Sequence, residues 1–221
     1  MKLTLFDLDH TLLAGDSDVL WCSFLLRQGA LDRASFEPRN AAMEAAYRAG
    51  SVSPRAFCDF YVSTLAGRSA ADWEALRQGF LHDEILPRIP AAARALVERH
   101  RAAGDLLVMT TATNRFITEL TAAQLGFEHL IATDCEVGHD GRFTGRTLGT
   151  LNMREGKVER LHAWLAARGL VLADCDCTAY SDSINDLPLL RAAAHPVVVN
   201  PDARLAAEAD ARGWPRLDLH G

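Results

Sequence analysis

Short apolar runs alternate with amphipathic stretches and predict most of the secondary structure of this chain. Met1 to Phe6 is typical of a buried strand, and similar runs from Leu106 to Thr110, Thr178 to Ser181 and Val197 to Asn200 predict three more. Amphipathic stretches that end at glycines separate the later runs, which is the pattern of helices. Strands that alternate with helices favour a parallel sheet, so the predicted class is α/β with a Rossmann-like core.

The segment that follows the first strand has a helical pattern without any strand signal. Asp16 or Ser17 can cap the first of four predicted helices, because a side-chain oxygen there can accept from a free backbone N–H group. We therefore predict a helical cap of residues 15–82, inserted into a catalytic core of residues 1–14 and 83–221.

Three local signals refine the second half of the chain. Asp140-Gly141 predicts a small β-hairpin between strands at Cys135 to Gly138 and Arg142 to Gly145, with a separate short strand just before it. Thr113 is the predicted cap of the helix after the second strand, and Asn200 is the predicted cap of the last helix.

Composition and charge exclude several classes of protein. The net charge of −6 gives no basic footprint for nucleic acid, and no apolar stretch is long enough to span a bilayer. The odd count of five cysteines, without a CxxC pair, favours reduced thiols over a disulfide or zinc framework. We expect a cytoplasmic protein that binds neither nucleic acid nor membrane.

Two acidic clusters follow two of the predicted strands. Asp7 and Asp9 are two residues apart on an extended backbone, so their side chains point to the same side. Asp182 and Asp186 follow a later strand. Carboxylates that converge repel each other unless a cation intervenes, and Mg²⁺ prefers oxygen ligands. The clusters predict a Mg²⁺ site at the carboxyl edge of the sheet.

Four segments in chain order resemble the motifs of the haloacid dehalogenase superfamily. They are Asp7-x-Asp9-x-Thr11, Thr111 after an apolar run, Lys157 before a helix, and Asp182-Ser-Ile-Asn185-Asp186. The motifs span nearly the whole chain. A helical block after the first motif resembles the phosphoserine-phosphatase-like branch, to which some histidinol-phosphate phosphatases are also similar.

The resemblance implies a Mg²⁺-dependent phosphomonoester hydrolase that acts through an aspartyl-phosphate. Asp7 would be the nucleophile, and Asp9 the general acid and then the general base. Asp7, Asp9 and Asp182 would hold the metal, and the usual contact of Asp9 is its backbone carbonyl. Asp186 would bind the metal directly or support the groups that do.

The remaining motif residues are predicted to bind the phosphate of the substrate. These are Thr111 with the backbone of Ala112, Lys157 and Asn185; Thr110 stays an alternative to Thr111. Asp16 lies where phosphoserine phosphatases have an acid that binds the substrate ammonium, and it could do that or only cap its helix. The expected partner is a small phosphorylated metabolite, such as histidinol phosphate or phosphoserine.

Two other functions stay open at this point. A phosphotransferase or phosphonate-cleaving relative would use the same Asp7 with another acceptor or cap group, although the predicted cap has no lysine for phosphonate chemistry. A catalytically silent binding or regulatory protein is disfavoured by the intact set of Asp7, Asp9, Lys157 and Asp182. The sequence does not indicate an oligomeric state.

Overall fold

The protein, described over residues 1–221 by a computed structural model, is built on a seven-stranded sheet. Its strands are β1 (Lys2–Phe6), β2 (Leu106–Asn114), β3 (His129–Val137), β4 (Phe143–Leu148), β5 (Asp176–Ser181), β6 (His195–Val199) and β7 (Arg216–Leu217). They lie in the order β4-β3-β2-β1-β5-β6-β7, and every neighbouring pair is parallel except β3–β4. The predicted fold class is confirmed, and the central strand β1 carries Asp7 at its carboxyl end.

Nine α-helices surround the sheet. They are α1 (Ser17–Arg27), α2 (Arg33–Arg48), α3 (Pro54–Val62), α4 (Ala70–Phe80), α5 (Ala91–Ala102), α6 (Arg115–Gln124), α7 (Glu155–Ala166), α8 (Leu187–Ala192) and α9 (Ala203–Arg212). None of them is both long and apolar enough to cross a membrane. The five cysteines are all free thiols.

Capping side chains fix where several helices begin. Asp16 caps α1 and accepts from the N–H of Val19, which decides between the two predicted caps. The other two cap predictions are wrong. Asn114 caps α6, because the hydroxyl of Thr113 is turned towards Asp9. Asp202 caps α9, because Asn200 adopts a positive φ and bonds the C-terminal segment.

Strand β3 differs from its prediction, because the two expected short strands form one continuous strand. Its first half pairs in parallel with β2, and its second half turns away to pair antiparallel with β4. The hairpin turn is where Asp140-Gly141 predicts it, with Gly141 at φ 76°. The sequence of β3 does not show where the strand changes its pairing partner from β2 to β4. In the structure, a register shift in the β2–β3 pairing and another in the β3–β4 pairing mark this position.

Two apolar clusters cover the two faces of the sheet, and the first extends into the cap. Trp21 and Phe24 of α1 and Trp73 of α4 belong to the same cluster as Phe6 of β1 and Ile117 of α6. A small separate cluster, which includes Cys22 of α1 and Phe60 of α3, packs against Phe36 of α2. The division into core and cap stays a prediction, since α1 and α4 share the hydrophobic cluster of the sheet.

Helix α3 is fastened to the β3–β4 hairpin by polar contacts. Arg55 donates to the hydroxyl of Thr147 at 2.9 Å and to the carbonyl of Gly149 at 2.7 Å. Asp59 accepts from both the N–H and the hydroxyl of Thr147 at 2.7 Å. At Gly145 an added Cβ would come within 3.2 Å of the Cα of Ser63, so the backbones touch there. This contact fixes one wall of the cavity described next.

Candidate active site

A cavity of about 200 Å³ opens at the carboxyl edge of the sheet, between the ends of β1, β2 and β5 and the helices α2 and α3. Parallel strands end at this edge, so their following loops converge there. The lining side chains are Asp7, Asp9, His10, Asp16, Asp18, Tyr47, Phe57, Cys58, Ala112, Thr113, Met153, Lys157, Asp182, Ser183, Asn185 and Asp186. All the predicted site residues except Thr111 line this cavity.

Lys157 lies at the bottom of the cavity, in the first turn of α7. Its ammonium is 2.8 Å from a carboxylate oxygen of Asp7 and also donates to Asp186. Asp186 in turn accepts from the hydroxyl of Ser181 at 2.7 Å. Asp186 is thus engaged with Lys157 and Ser181, and the fixed ammonium gives the cavity one positive charge beside Asp7.

Asp7 and Asp182 lie on either side of a single hydroxyl. The Oγ1 atom of Thr11 is 3.1 Å from Oδ2 of Asp7 and 3.3 Å from Oδ1 of Asp182. Burial is the main cause that raises the pKa of Asp7 to about 7, against the lowering effect of Lys157. Burial, together with the charges of Asp7 and Asp186, raises the pKa of Asp182 to about 9. For both acids, burial thus outweighs the lowering effect of the single ammonium of Lys157.

These residues fit Mg²⁺. The donors are oxygens, and a divalent cation between Asp7 and Asp182 would offset the burial that raises both pKa values and the repulsion that Asp7 exerts on Asp182. No three acidic, histidine or cysteine side chains form a metal cage. Mg²⁺ does not need one, because it commonly binds one or two carboxylates and keeps several waters.

The carboxylate of Asp9 is held away from that pair. It accepts from the N–H of Ser17 at 2.7 Å and from the hydroxyl of Thr113 at 2.8 Å. Both oxygens of the Asp9 carboxylate are therefore engaged by neighbouring donors. Burial and then the charge of Asp16 raise the pKa of Asp9, which favours a carboxyl group that holds a proton.

The two threonines at the end of β2 face different partners. The hydroxyl of Thr110 accepts from the side-chain amide of Asn152 at 3.0 Å. The hydroxyl of Thr111 lies 3.4 Å from Asp9 and accepts from the N–H of Thr113 at 3.2 Å. Thr111 is thus the one next to the acids, just behind the cavity wall to which Ala112 contributes.

Asn185 connects two rims of the cavity. Its amide nitrogen donates to the hydroxyl of Tyr47 on α2, and its amide oxygen accepts from Nε of Arg154, both at 3.3 Å. Arg154 has a positive φ of 53° immediately before α7. Backbone strain of this kind is concentrated at functional sites.

Acidic and aromatic side chains form the part of the cavity that belongs to the helical insertion after β1. Asp16 and Asp18 contribute carboxylates whose pKa values burial raises, and Tyr47 stacks on Phe57 with ring centroids 4.0 Å apart. The sequence gives no sign that Tyr47 belongs here, because an aromatic residue at helical spacing is more often part of a core. Its position near the end of α2, opposite the fourth motif, appears only in the fold.

Comparison with known proteins identifies the same family over most of the chain. The family described as haloacid dehalogenase-like hydrolase matches residues 4–191. A histidinol-phosphatase of Neisseria meningitidis serogroup C is 41% identical over 219 residues, which are 99% of this chain and 99% of that protein. A phosphoserine phosphatase of Mycobacterium tuberculosis is 32% identical over 217 residues, 97% of this chain and 70% of that protein.

A solved structure has almost the same backbone. A protein of unknown function from Bordetella pertussis Tohama I superposes with a TM-score of 0.95 at 45% identity and covers 99% of this chain and 98% of its own. A substrate-bound phosphoserine phosphatase, at 18% identity and a TM-score of 0.69, shares the fold. The family predicted from the four motifs is confirmed.

Proposed function

This chain belongs to the haloacid dehalogenase-like hydrolases and is a phosphatase of that family, and we propose that it hydrolyses a small cationic phosphomonoester, histidinol phosphate first among them, with Mg²⁺. The observation that carries the proposal is the meeting of Asp7, Lys157 and Asp182 in one cavity with an acidic and aromatic outer wall. The relative that is 41% identical over 99% of both chains supports the choice of substrate.

In the first step, a carboxylate oxygen of Asp7 attacks phosphorus while the bond to the ester oxygen breaks. The ammonium of Lys157, fixed beside Asp7, balances the charge of the phosphoryl oxygens. Mg²⁺, held by Asp7, Asp182 and the carbonyl of Asp9, would supply the further positive charge that brings two anions together. Thr111, the backbone of Ala112 and Asn185 would orient the phosphate.

Asp9 is the group that exchanges protons with the leaving oxygen and with water. Its carboxyl proton passes to the departing alkoxide, which leaves an aspartyl-phosphate on Asp7. The resulting carboxylate of Asp9 then takes a proton from water as that water attacks phosphorus, and phosphate leaves while Asp7 is restored. Burial raises the pKa of Asp9, which favours its protonated form, and the bond from Thr113 orients the carboxyl group; both support this role.

The charge of the cavity supports a substrate whose alcohol part is cationic. Six aspartates and one lysine line it, without any arginine. Phosphoserine carries a carboxylate that needs a cation, and the exposed Arg154 at the rim is engaged with Asn185. Histidinol phosphate carries an ammonium and an imidazole and has no carboxylate, which suits Asp16 and Asp18.

The test compares kcat/KM for histidinol phosphate and phosphoserine with Mg²⁺ present. We expect a clear preference for histidinol phosphate, and no turnover of either substrate when a chelator removes the metal. A preference for phosphoserine would overturn the substrate proposal, and full activity in metal-free buffer would overturn the metal site.

A further inference from the structure

Tyr47 is the one residue of α2 that lines the cavity. Its ring stacks on Phe57 of α3 at an interplanar angle of 25° and, with Phe57, forms what we call the aromatic wall. Its hydroxyl accepts from the amide of Asn185 at 3.3 Å. The side chain of Tyr47 therefore contacts both Phe57 and Asn185 of the fourth motif.

The carboxylates of the cap lie in the same cavity as the aromatic wall. Asp18 has only long contacts, 3.4 Å from the hydroxyl of Thr113 and 3.4 Å from the amide of Asn114, so it is weakly satisfied. Asp16 uses one carboxylate oxygen to cap α1. A flat cationic ring suits such a space, because its N–H groups can reach a carboxylate while its face lies on an aromatic ring.

We propose that Tyr47 is the residue that selects a substrate with a cationic ring. Its ring binds the imidazole of the alcohol part, and its hydroxyl keeps Asn185 turned towards the phosphate. This inference rests on the proposed function and deepens it, because it assigns the recognition of the ring to a single side chain. The two contributions of Tyr47 belong to different atoms, so substitutions can separate them.

The experiment uses two amino alcohols that differ only by the ring. Histidinol has the imidazole and alaninol lacks it, and each is measured as an inhibitor of acetyl phosphate hydrolysis, a substrate without a ring. We expect Tyr47→Leu to raise the inhibition constant of histidinol roughly three- to tenfold, the range of aromatic stacking energies, and to leave that of alaninol unchanged. Tyr47→Met, which suits a helix and the contact with Phe57, serves as a second variant without the ring.

Tyr47→Phe isolates the hydroxyl. It should raise the KM for acetyl phosphate through the loss of the bond to Asn185, and it should leave the ratio of the two inhibition constants as in the wild type. Phe36→Leu is the matched control, since Phe36 is an aromatic residue of the same helix that packs in the small cap cluster and does not line the cavity. It should leave that ratio unchanged too.

The inference is overturned if loss of the Tyr47 ring weakens histidinol and alaninol equally, or if Phe36→Leu has the same effect. Because the readout is hydrolysis of acetyl phosphate, the result stands even where histidinol phosphate is not a substrate. Hydrolysis of histidinol phosphate by the wild type tests the proposed function separately.

Discussion

The ammonium of Lys157 lies 2.8 Å from a carboxylate oxygen of Asp7, although the two residues are 150 positions apart in the chain. Lys157 is only 1% exposed, and Asp186 is its other partner. Burial favours the neutral amine, but the charges of Asp186 and Asp7 outweigh it and raise the pKa of Lys157. The lysine stays charged. Its ion pairs with Asp7 and Asp186 therefore stabilise the folded protein and also place a positive charge in the site.

Replacement of this lysine should therefore lower both stability and turnover. Lys157→Met leaves two buried carboxylates without their cation, which costs about 3–5 kcal/mol in the free energy of unfolding. We expect kcat to fall by roughly 100- to 1,000-fold, the usual loss when one group that stabilises transition-state charge is removed. Urea unfolding and steady-state kinetics measure the two effects.

A double variant separates them. Lys157→Met combined with Asp186→Asn removes one of the unpaired charges, so it should recover part of the stability and none of the turnover. Recovery of turnover in the double variant would mean that Lys157 only neutralises Asp186.

The raised pKa values of Asp7 and Asp182 predict how the free energy of unfolding depends on pH. An acid with a higher pKa in the folded protein than in the unfolded chain makes the folded state bind more protons. The pKa of Asp7 is raised from 3.8 to about 7, and that of Asp182 from 3.8 to about 9. The folded state therefore binds more protons than the unfolded chain between pH 3.8 and these values. Without metal, the free energy of unfolding should fall as pH rises through that window, and Mg²⁺ should reduce the fall.

Denaturant titrations from pH 5 to pH 9, with and without Mg²⁺, measure this dependence. Asp182→Asn should flatten the profile of the metal-free protein, whereas the same change at the exposed Asp83 should not. A profile of the metal-free wild type that rises across the window would show that the two acids are not buried as described.

The two acids of the first motif should fail in different ways. Asp7→Asn should reduce turnover to background, because the amide is not a nucleophile, while the protein still folds. Asp9→Asn should slow an alkyl phosphate by roughly 100- to 10,000-fold and an aryl phosphate much less, because a good leaving group needs little proton transfer. The measurement is kcat of Asp9→Asn on a matched pair of alkyl and aryl phosphates. Equal losses of kcat on both substrates would show that Asp9 is not the general acid.

Asp16 needs a variant that keeps its capping bond. Asp16→Ala removes the cap of α1, which costs about 1 kcal/mol, as well as the charge. Asp16→Asn retains a capping oxygen and loses only the charge. We expect Asp16→Asn to raise the KM for an amine-bearing phosphate far more than that for an aryl phosphate, and equal changes would leave Asp16 with the capping role alone.

Much of this architecture could be predicted from the sequence, because local patterns encode it directly. The strand that carries Asp7 and the strand that precedes Asp182 are short apolar runs, and each is followed by acids that line the same cavity. The helical insertion after the first strand follows from a run of helical patterns. These features depend on neighbours in the chain.

The parts that could not be predicted depend on distant neighbours. Asn114 and Asp202 cap helices because tertiary contacts engage Thr113 and Asn200 elsewhere. Tyr47 differs from other aromatic residues of the cap only by what lies opposite it after folding. The sequence also does not show that the core cluster extends through Trp21, because an inserted helix and a core helix have the same amphipathic pattern.

The attachment of the cap has a consequence for how new specificity could arise in this scaffold. Helices α1 and α4 share the core cluster, and α3 is bonded to the hairpin through Arg55 and Asp59. Exchange of all four inserted helices would therefore remove side chains that pack in the core. Helix α2 packs on α1 and α3 through a small cluster, through Arg39 over the ring of Phe60, and through the contacts of Tyr47. The 16-residue helix α2 is thus the part of the insertion that can be replaced with the least disturbance of the core. We expect that replacing α2 alone with the corresponding helix of a relative changes the substrate range.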